Sequence, residues 1–233
     1  MCGRFVATTT PSQLALLFDA SLLDVSDDDF RENYNVAPTT QILMMRAHEQ
    51  ARVLQQAHWG LLPAWSKDRS RAASMINARS ETLTEKPSFK PLLQSHRCVV
   101  PVDGYYEWRT VDVDPSVKQP KQPYFIRSED QRPLAIAGLW TTWRDAQRGG
   151  QEVHSCCIIT ISPNTQLARI HDRMPCILDG DDIDTWLTAD TPPLEVLQTA
   201  PDNRVAAVTV STAVNNVRNK GAALIEPTTT TLF

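Results

Sequence analysis

The sequence lacks any apolar run approaching the roughly 18 residues that a membrane-spanning helix needs, so no membrane partner is expected. Its start lacks the charged-then-apolar pattern of a secretory signal. Cysteines are few and poorly spaced. Cys2, Cys98, Cys156, Cys157 and Cys176 make an odd set of five without CxxC spacing. That argues against a disulfide scaffold or a cysteine-rich zinc site and fits a reducing, cytoplasmic compartment. His48, His58, His96, His154 and His171 form no HxH or HExxH pattern, so no metal and no cofactor is expected. Excess positive charge is also missing. Lys and Arg number 23 against 27 Asp and Glu, a net charge of −4. A bulk electrostatic footprint for nucleic acid is therefore absent. There is no internal repeat and no linker rich enough to divide the chain, and 233 residues with 42% hydrophobic content can build one sizeable domain.

The charge is unevenly placed. Acids crowd into "DVSDDDFRE" (24–32) and "DGDDID" (179–184), while arginines recur in "CGRF", "INARSE", "IHDRMP" and "NNVRNK". Screening confines a surface field to about 8–10 Å at physiological salt, so a basic groove can persist within a net acidic protein.

Strand signals dominate. "QILMMR" (41–46) and "RVLQQAHW" (52–59) predict a hairpin, and "RCVVPV" (97–102), "PYFIR" (123–127), "LAIAGLW" (134–140), "HSCCIITI" (154–161) and "RVAAVTV" (204–210) are short β-branched or apolar runs. Thr10 and Pro11 are a cap and first position for a helix continuing through "SQLALLFDA". Further helices are expected at about 163–170, 181–189 and 192–200. Residues 109–123 read as an exposed loop and 227–233 as a tail, leaving 1–226 as the domain. Strands and helices do not alternate, which argues against a doubly wound parallel sheet. The expected class is α+β, built on a curved antiparallel sheet.

Several short segments could carry chemistry. "MCGRF" puts Cys2 directly behind the initiator. If Met1 is trimmed, Cys2 presents a free α-amine and a thiol on adjacent carbons. In "WGLLPAWSKD" (59–68), Trp59 and Trp65 flank Gly60 and Pro63; Trp65 is either a buried anchor or a stacking platform for bases. "MINARSET" (75–82) offers an amide, Asn77, and an arginine, Arg79, able to hold a phosphate. In "DGYYEW", strand alternation turns Glu107 away from Tyr106 and Trp108, and a carboxylate among aromatics suits proton transfer. "RIHDRMP" places His171 beside Asp172 and Arg173, as either a structural or a functional histidine.

Taken in order, these segments resemble the SOS-response-associated peptidase (SRAP) family, whose members protect abasic sites by crosslinking to them. The resemblance rests on Met1-Cys2-Gly3-Arg4-Phe5; Tyr34-Asn35-Val36-Ala37-Pro38; Trp59-Gly60 with Pro63 and Trp65; Asn77-Ala78-Arg79 with Glu81; Asp103-Gly104 with Glu107-Trp108; His171-Asp172-Arg173 with Pro175; and Val210-Ser211 through Asn216-Val217. It runs from residue 1 to about 226. It implies a single domain around a barrel-like antiparallel sheet with peripheral helices. It also implies Cys2 as nucleophile, with Asn77, Glu107 and His171 completing a catalytic pocket. Arg4, Arg79 and Arg173 match positions that contact DNA phosphates, and Trp65 matches one packed near the bases. Two positions depart from the pattern: Ser66 stands where some relatives have a second tryptophan, and Pro87 where some have arginine. The implied partner is single-stranded DNA carrying an abasic site, bound by a monomer. Three other readings of the residues remain: an N-terminal-nucleophile glutaminase, a thiol peptidase, and a non-catalytic single-strand binder.

Overall fold

A computed structural model describes residues 2–49, 51–111 and 121–228. In chain order the strands and helices are β1 (Phe5–Ala7), α1 (Pro11–Leu17), β2 (Ala20–Leu22), β3 (Asn33–Val36), β4 (Gln41–His48), β5 (Ala51–Trp59), β6 (Asn77–Arg79), β7 (Arg97–Val102) and β8 (Gly104–Thr110). They continue as β9 (Lys121–Ser128), β10 (Leu134–Asp145), β11 (Gln151–Ile161), β12 (Met174–Pro175), β13 (Ile177–Leu178), α2 (Asp181–Thr188) and β14 (Val205–Thr209). This is the expected strand-rich α+β domain.

The larger sheet closes on itself. Antiparallel pairings join β11 to β10, β10 to β7, β7 to β4 and β4 to β5. Parallel pairing of β5 with β11, His58 opposite Ser155 and Trp59 opposite Cys156, completes a five-stranded ring. The expected antiparallel barrel is thus sealed by a parallel seam, which β6 extends along β11. The second sheet is antiparallel throughout, in the order β14-β9-β8-β1-β3. Apolar side chains from both sheets merge into one core containing Phe5, Trp59, Tyr105 and Trp186.

Helix α1 begins as its residues dictate. Gln13 N–H donates to Thr10 Oγ1 at 3.3 Å, and Thr10 N–H donates to Gln13 Oε1 at 3.1 Å, a reciprocal cap. It ends at Leu17, short of the expected run, and Asp19 turns the chain with φ 48° into β2. Two expected helices are single 3-10 turns. At 163–170 only Leu167–Arg169 is helical; the Asn164 side chain caps Leu167 N–H at 2.9 Å, and the chain soon becomes extended to pair as β12. At 192–200 only Leu194–Val196 turns, because Pro192 and Pro193 lack N–H donors and Ala200 precedes Pro201. Helix α2 matches 181–189 to within a residue. Its C-terminal end is gathered by the buried Arg97, which donates to the carbonyls of Trp186, Leu93 (2.6 Å), Gln94 (2.7 Å) and Ala189 (2.5 Å). A cation there complements the helix dipole. No helix among the described residues is long and apolar enough to cross a membrane.

Strands β8 and β9 extend into the expected 109–123 loop from both sides, and 112–120 lie outside the described residues. Within the expected 227–233 tail, Pro227 bridges Val210 and Thr228 N–H donates to Thr209 O at 2.9 Å; 229–233 lie outside the described residues.

Gly104 fixes how the β8 hairpin meets the small sheet. A Cβ there would stand 2.5 Å from the Phe125 ring and 2.7 Å from Ile126 O. Gly104→Ala is expected to cost about 1–3 kcal/mol through forced overpacking. A denaturant midpoint unchanged from the parent would contradict this.

Candidate active site

Residues 2–9 form the first wall of the site and are clamped along their length. Asp103, in the turn between β7 and β8, accepts from Thr8 N–H (2.5 Å), Thr8 Oγ1 (3.0 Å), Thr9 N–H (3.0 Å) and the Thr9 hydroxyl. Asp103 N–H donates to Val6 O, and Tyr106 N–H to Arg4 O, both at 2.9 Å. The chain therefore reaches Cys2 in an extended path beside β8.

Cys2 is fully buried, its Sγ 4.0 Å from Arg4 O. Burial, reinforced by the nearby Glu107 carboxyl, pushes the thiol well above the usual cysteine range, so it stays protonated at physiological pH. Asn77 is set by β6, whose parallel pairing puts it opposite Ile158 of β11. Its Nδ2 donates to Cys2 O at 2.9 Å, while its buried Oδ1 has no hydrogen-bond partner among the described residues.

Glu107 lies buried on β8 opposite Tyr124. Alternation separates its neighbours as expected. Tyr106 turns away and donates through its hydroxyl to Tyr34 O at 2.7 Å; Trp108 Nε1 donates to Asn215 Oδ1 at 2.7 Å. Glu107 Oε1 is 3.9 Å from His171 Nε2 and receives Trp108 N–H at 3.3 Å. His171 follows the 3-10 turn at Leu167–Arg169. Its Nδ1 is 3.0 Å from Arg173 N and 2.8 Å from Asp172 Oδ1. One nitrogen cannot serve both partners: without a hydrogen Nδ1 accepts from Arg173 N–H, and with one it donates to Asp172 Oδ1. Cys2, Asn77, Glu107 and His171 are thus brought together from four separate parts of the chain.

The residues expected to meet DNA are differently disposed. Arg4 Nη1 donates to Asn35 Oδ1 (2.8 Å) and Val214 O (2.9 Å), with its guanidinium 6.0 Å from the Trp108 ring. Asn35, fully buried, also ties down the 214–219 segment through Nδ2, and Lys220 Nζ donates to its carbonyl at 2.7 Å. Arg79 is exposed on β6. Trp65 is 59% exposed and so is not a buried anchor. Its segment leaves β5 at Gly60, whose φ of 129° and 2.5 Å virtual Cβ contact with Ala72 O require glycine. Arg173, by contrast, is occupied. Its Nη1 and Nη2 pair with Glu81 Oε1 and Oε2 at 2.6 and 2.9 Å, Nη2 also donates to Thr160 O, and the side chain is only 10% exposed. This two-pronged pair is one the sequence does not announce, since 92 residues separate its members.

Chemically, the pocket holds a neutral thiol, a buried carboxyl group, an imidazole and an amide. Thiol hydrolases work through a thiolate stabilised by a cationic setting; here the setting keeps the proton on sulfur.

The family model described as SOS response associated peptidase (SRAP) matches residues 1–217. The chain is 36% identical to the abasic site processing protein YoqW of Bacillus subtilis, covering 97% of this chain and 99% of that one. It is 33% identical to the abasic site processing protein YedK of Escherichia coli, covering 97% and 100%. It is 35% identical to the abasic site processing protein HMCES of Gallus gallus, covering 85% and 67%. A solved protein from Bacteroides thetaiotaomicron shares the fold with a TM-score of 0.83 at 23% identity, covering 97% of this chain and all of that one.

The Glu81 carboxyl is held below the usual carboxylate range, chiefly by its hydrogen bonds from Arg173. A depressed carboxyl contributes stability above its unfolded value, about 4.3, and loses it as pH falls through the folded value. Glu81 is half exposed, so the pair is worth no more than about 1 kcal/mol. Glu81→Gln is therefore expected to be slightly less stable than the parent at pH 7, with the difference vanishing as pH falls below the ordinary carboxylate range. Parallel thermal melts across that range check it.

Proposed function

Because this chain belongs to the SOS response associated peptidase family, we propose that it processes abasic sites in DNA by joining Cys2 to the ring-opened sugar. The observation that carries this reading is the placement of Cys2: its carbonyl is held by Asn77 at 2.9 Å, and its protonated thiol lies beside Glu107.

The aldehyde of an opened abasic sugar needs an uncharged nucleophile. With Met1 removed, the Cys2 α-amine has a reference pKa of about 7.7–8.0, so roughly a third is neutral at pH 7.5, against about 0.1% of a lysine. The amine adds to the sugar carbon and water leaves, giving an imine. The thiol S–H then adds across the C=N bond: a C–S bond forms, the π pair returns to nitrogen, and the sulfur proton ends there. The product is a five-membered thiazolidine. A second nucleophile held three bonds from the amine makes closure intramolecular, with a large effective concentration. A protonated thiol is the form suited to this order of events, because the amine acts first.

The surrounding groups have distinct tasks. Asn77 orients residue 2 through its carbonyl. Glu107 moves protons as the imine forms and the ring closes. His171, as the imidazolium, gives a proton to the sugar ring oxygen as the ring C–O bond breaks, and the C1′ hydroxyl loses its proton to become the aldehyde. Single-stranded DNA, whose sugar can be splayed outward, is the substrate, with Trp65 as a stacking surface and Arg4 and Arg79 at phosphates. Arg173 reaches a phosphate by exchanging Glu81 for it. The protein acts as a monomer on damaged DNA.

The test is single-turnover reaction with an abasic oligonucleotide on a denaturing gel, with intact mass confirming loss of Met1. Cys2→Ala should form no thiazolidine adduct; equal crosslinking would sink the mechanism. Cys2→Ser should keep a borohydride-trappable imine without the sulfur ring. Glu107→Gln should slow crosslinking by about 10²–10⁴-fold. Affinity should fall with salt at a log–log slope of about −2, as expected for three contacts on a single strand.

A further inference from the structure

The ring of β5, β11, β10, β7 and β4 has a second end, away from Cys2. Strand register puts Arg46, Gln55, Trp140, Thr142 and His154 on one face of it. His96 joins them just before β7, where its carbonyl accepts from Trp140 N–H at 2.9 Å. The Arg46 guanidinium of β4 lies 4.9 Å from the Trp140 ring of β10, across the intervening β7, so this face is the inside of the ring. The His96 and His154 rings pack on the same indole, with centroids 4.9 and 5.6 Å away. His154 lies four residues before Ile158, the partner of Asn77, which sets the cluster about 13 Å along β11 from the catalytic amide.

Donors outnumber acceptors here. Arg46 is partly buried, with Nε donating to Gln55 Oε1 at 2.9 Å and Nη1 to Ala47 O at 3.1 Å. Among the described residues no carboxylate pairs with it. Gln55 is 4% exposed, and its Nε2 has no acceptor among the described residues. Because Arg46 fixes Oε1, the amide nitrogen is held within the cluster. The histidines spend Nδ1 on hydroxyls, His96 on Ser95 and His154 on Thr142, both at 3.0 Å. Burial, and then the Arg46 cation, holds both rings below their usual range. The remaining charges on this face are the exposed His48 and the Arg144–Glu152 pair at 2.8 Å. An arginine without a counter-ion, beside an orphaned amide, calls for an acceptor, and a charged acceptor gains most.

We propose that this end of the ring binds a tetrahedral oxyanion, phosphate or a phosphomonoester, held by Arg46, Gln55, His96 and His154. The Arg46 guanidinium and the Gln55 amide supply fixed donors. The anion's charge favours the imidazolium form of both histidines, so each Nε2 donates once the ligand is seated. Binding therefore takes up protons. The site stands apart from the catalytic pocket and does not depend on the crosslinking chemistry.

The experiment uses the full chain and sulfate, an oxyanion whose own charge is constant across the working pH range. In calorimetric titrations, affinity should fall about tenfold per pH unit for each proton taken up, as pH rises above the histidine range. Histidine NMR titrations should show His96 and His154 gaining their protons at higher pH in sulfate than in chloride. Arg46→Met keeps an apolar stem over Trp140 and should weaken sulfate binding by about tenfold or more. Gln55→Glu supplies a negative charge from within. It should abolish sulfate binding and raise the melting temperature in chloride. Unchanged histidine titrations in sulfate overturn the site, even if Arg46→Met fails to fold. Sulfate binding that Gln55→Glu leaves intact overturns it too. Inorganic phosphate and a terminally phosphorylated dinucleotide, read on the same two histidines, distinguish the sources. Tighter binding of the free ion or of the strand end names the occupant, and binding of neither overturns the proposal.

Discussion

The site depends on the grip that Asp103 and Asn77 exert on residues 2–9. A chain end ordinarily frays. Here one carboxylate takes four donors from Thr8 and Thr9, and one amide takes the Cys2 carbonyl. Between them, β1 pairs on both sides, with β8 and β3. In the crosslinking reading proposed above, the amine and thiol of residue 2 are consequently held by a clamped segment rather than a loose tether. That is the condition under which an intramolecular second step gains its advantage.

Burial has opposite consequences for the groups that share this pocket. It suppresses ionisation of the Cys2 thiol, which in the crosslinking reading proposed above suits a nucleophile whose amine leads. It shields Glu107 from bulk water beside His171. At the edge of the site the same logic relaxes. Trp65 and Arg79 face outward, whereas Arg173 is paired with Glu81.

Much of this was legible in the amino-acid order, and for identifiable reasons. β-branched runs marked β7 and β11, and the Thr10–Pro11–Gln13 pattern marked α1. Alternation in "YYEW" correctly turned Glu107 from its neighbours. The same rule, carried one step further, puts Tyr105 on the Glu107 side; two adjacent tyrosines cannot share a face. The 3-10 turns at 167–169 and 194–196 were misread as helices because apolar spacing is similar over one turn, and side-chain caps and prolines decide the rest. The parallel seam between β5 and β11 and the Glu81–Arg173 pair were beyond local pattern, because each joins residues about 90 or more positions apart.

That seam has a consequence for when the protein becomes reactive. Residue 2 leaves the ribosome first, but Asn77 reaches it only through β6 lying on β11, and His171 comes later still. At typical synthesis rates this is a lag on the order of 10 s. Until the ring seals, Cys2 lacks the amide, carboxyl and imidazole gathered near it in the folded chain, so the assembled pocket is a property of the finished barrel.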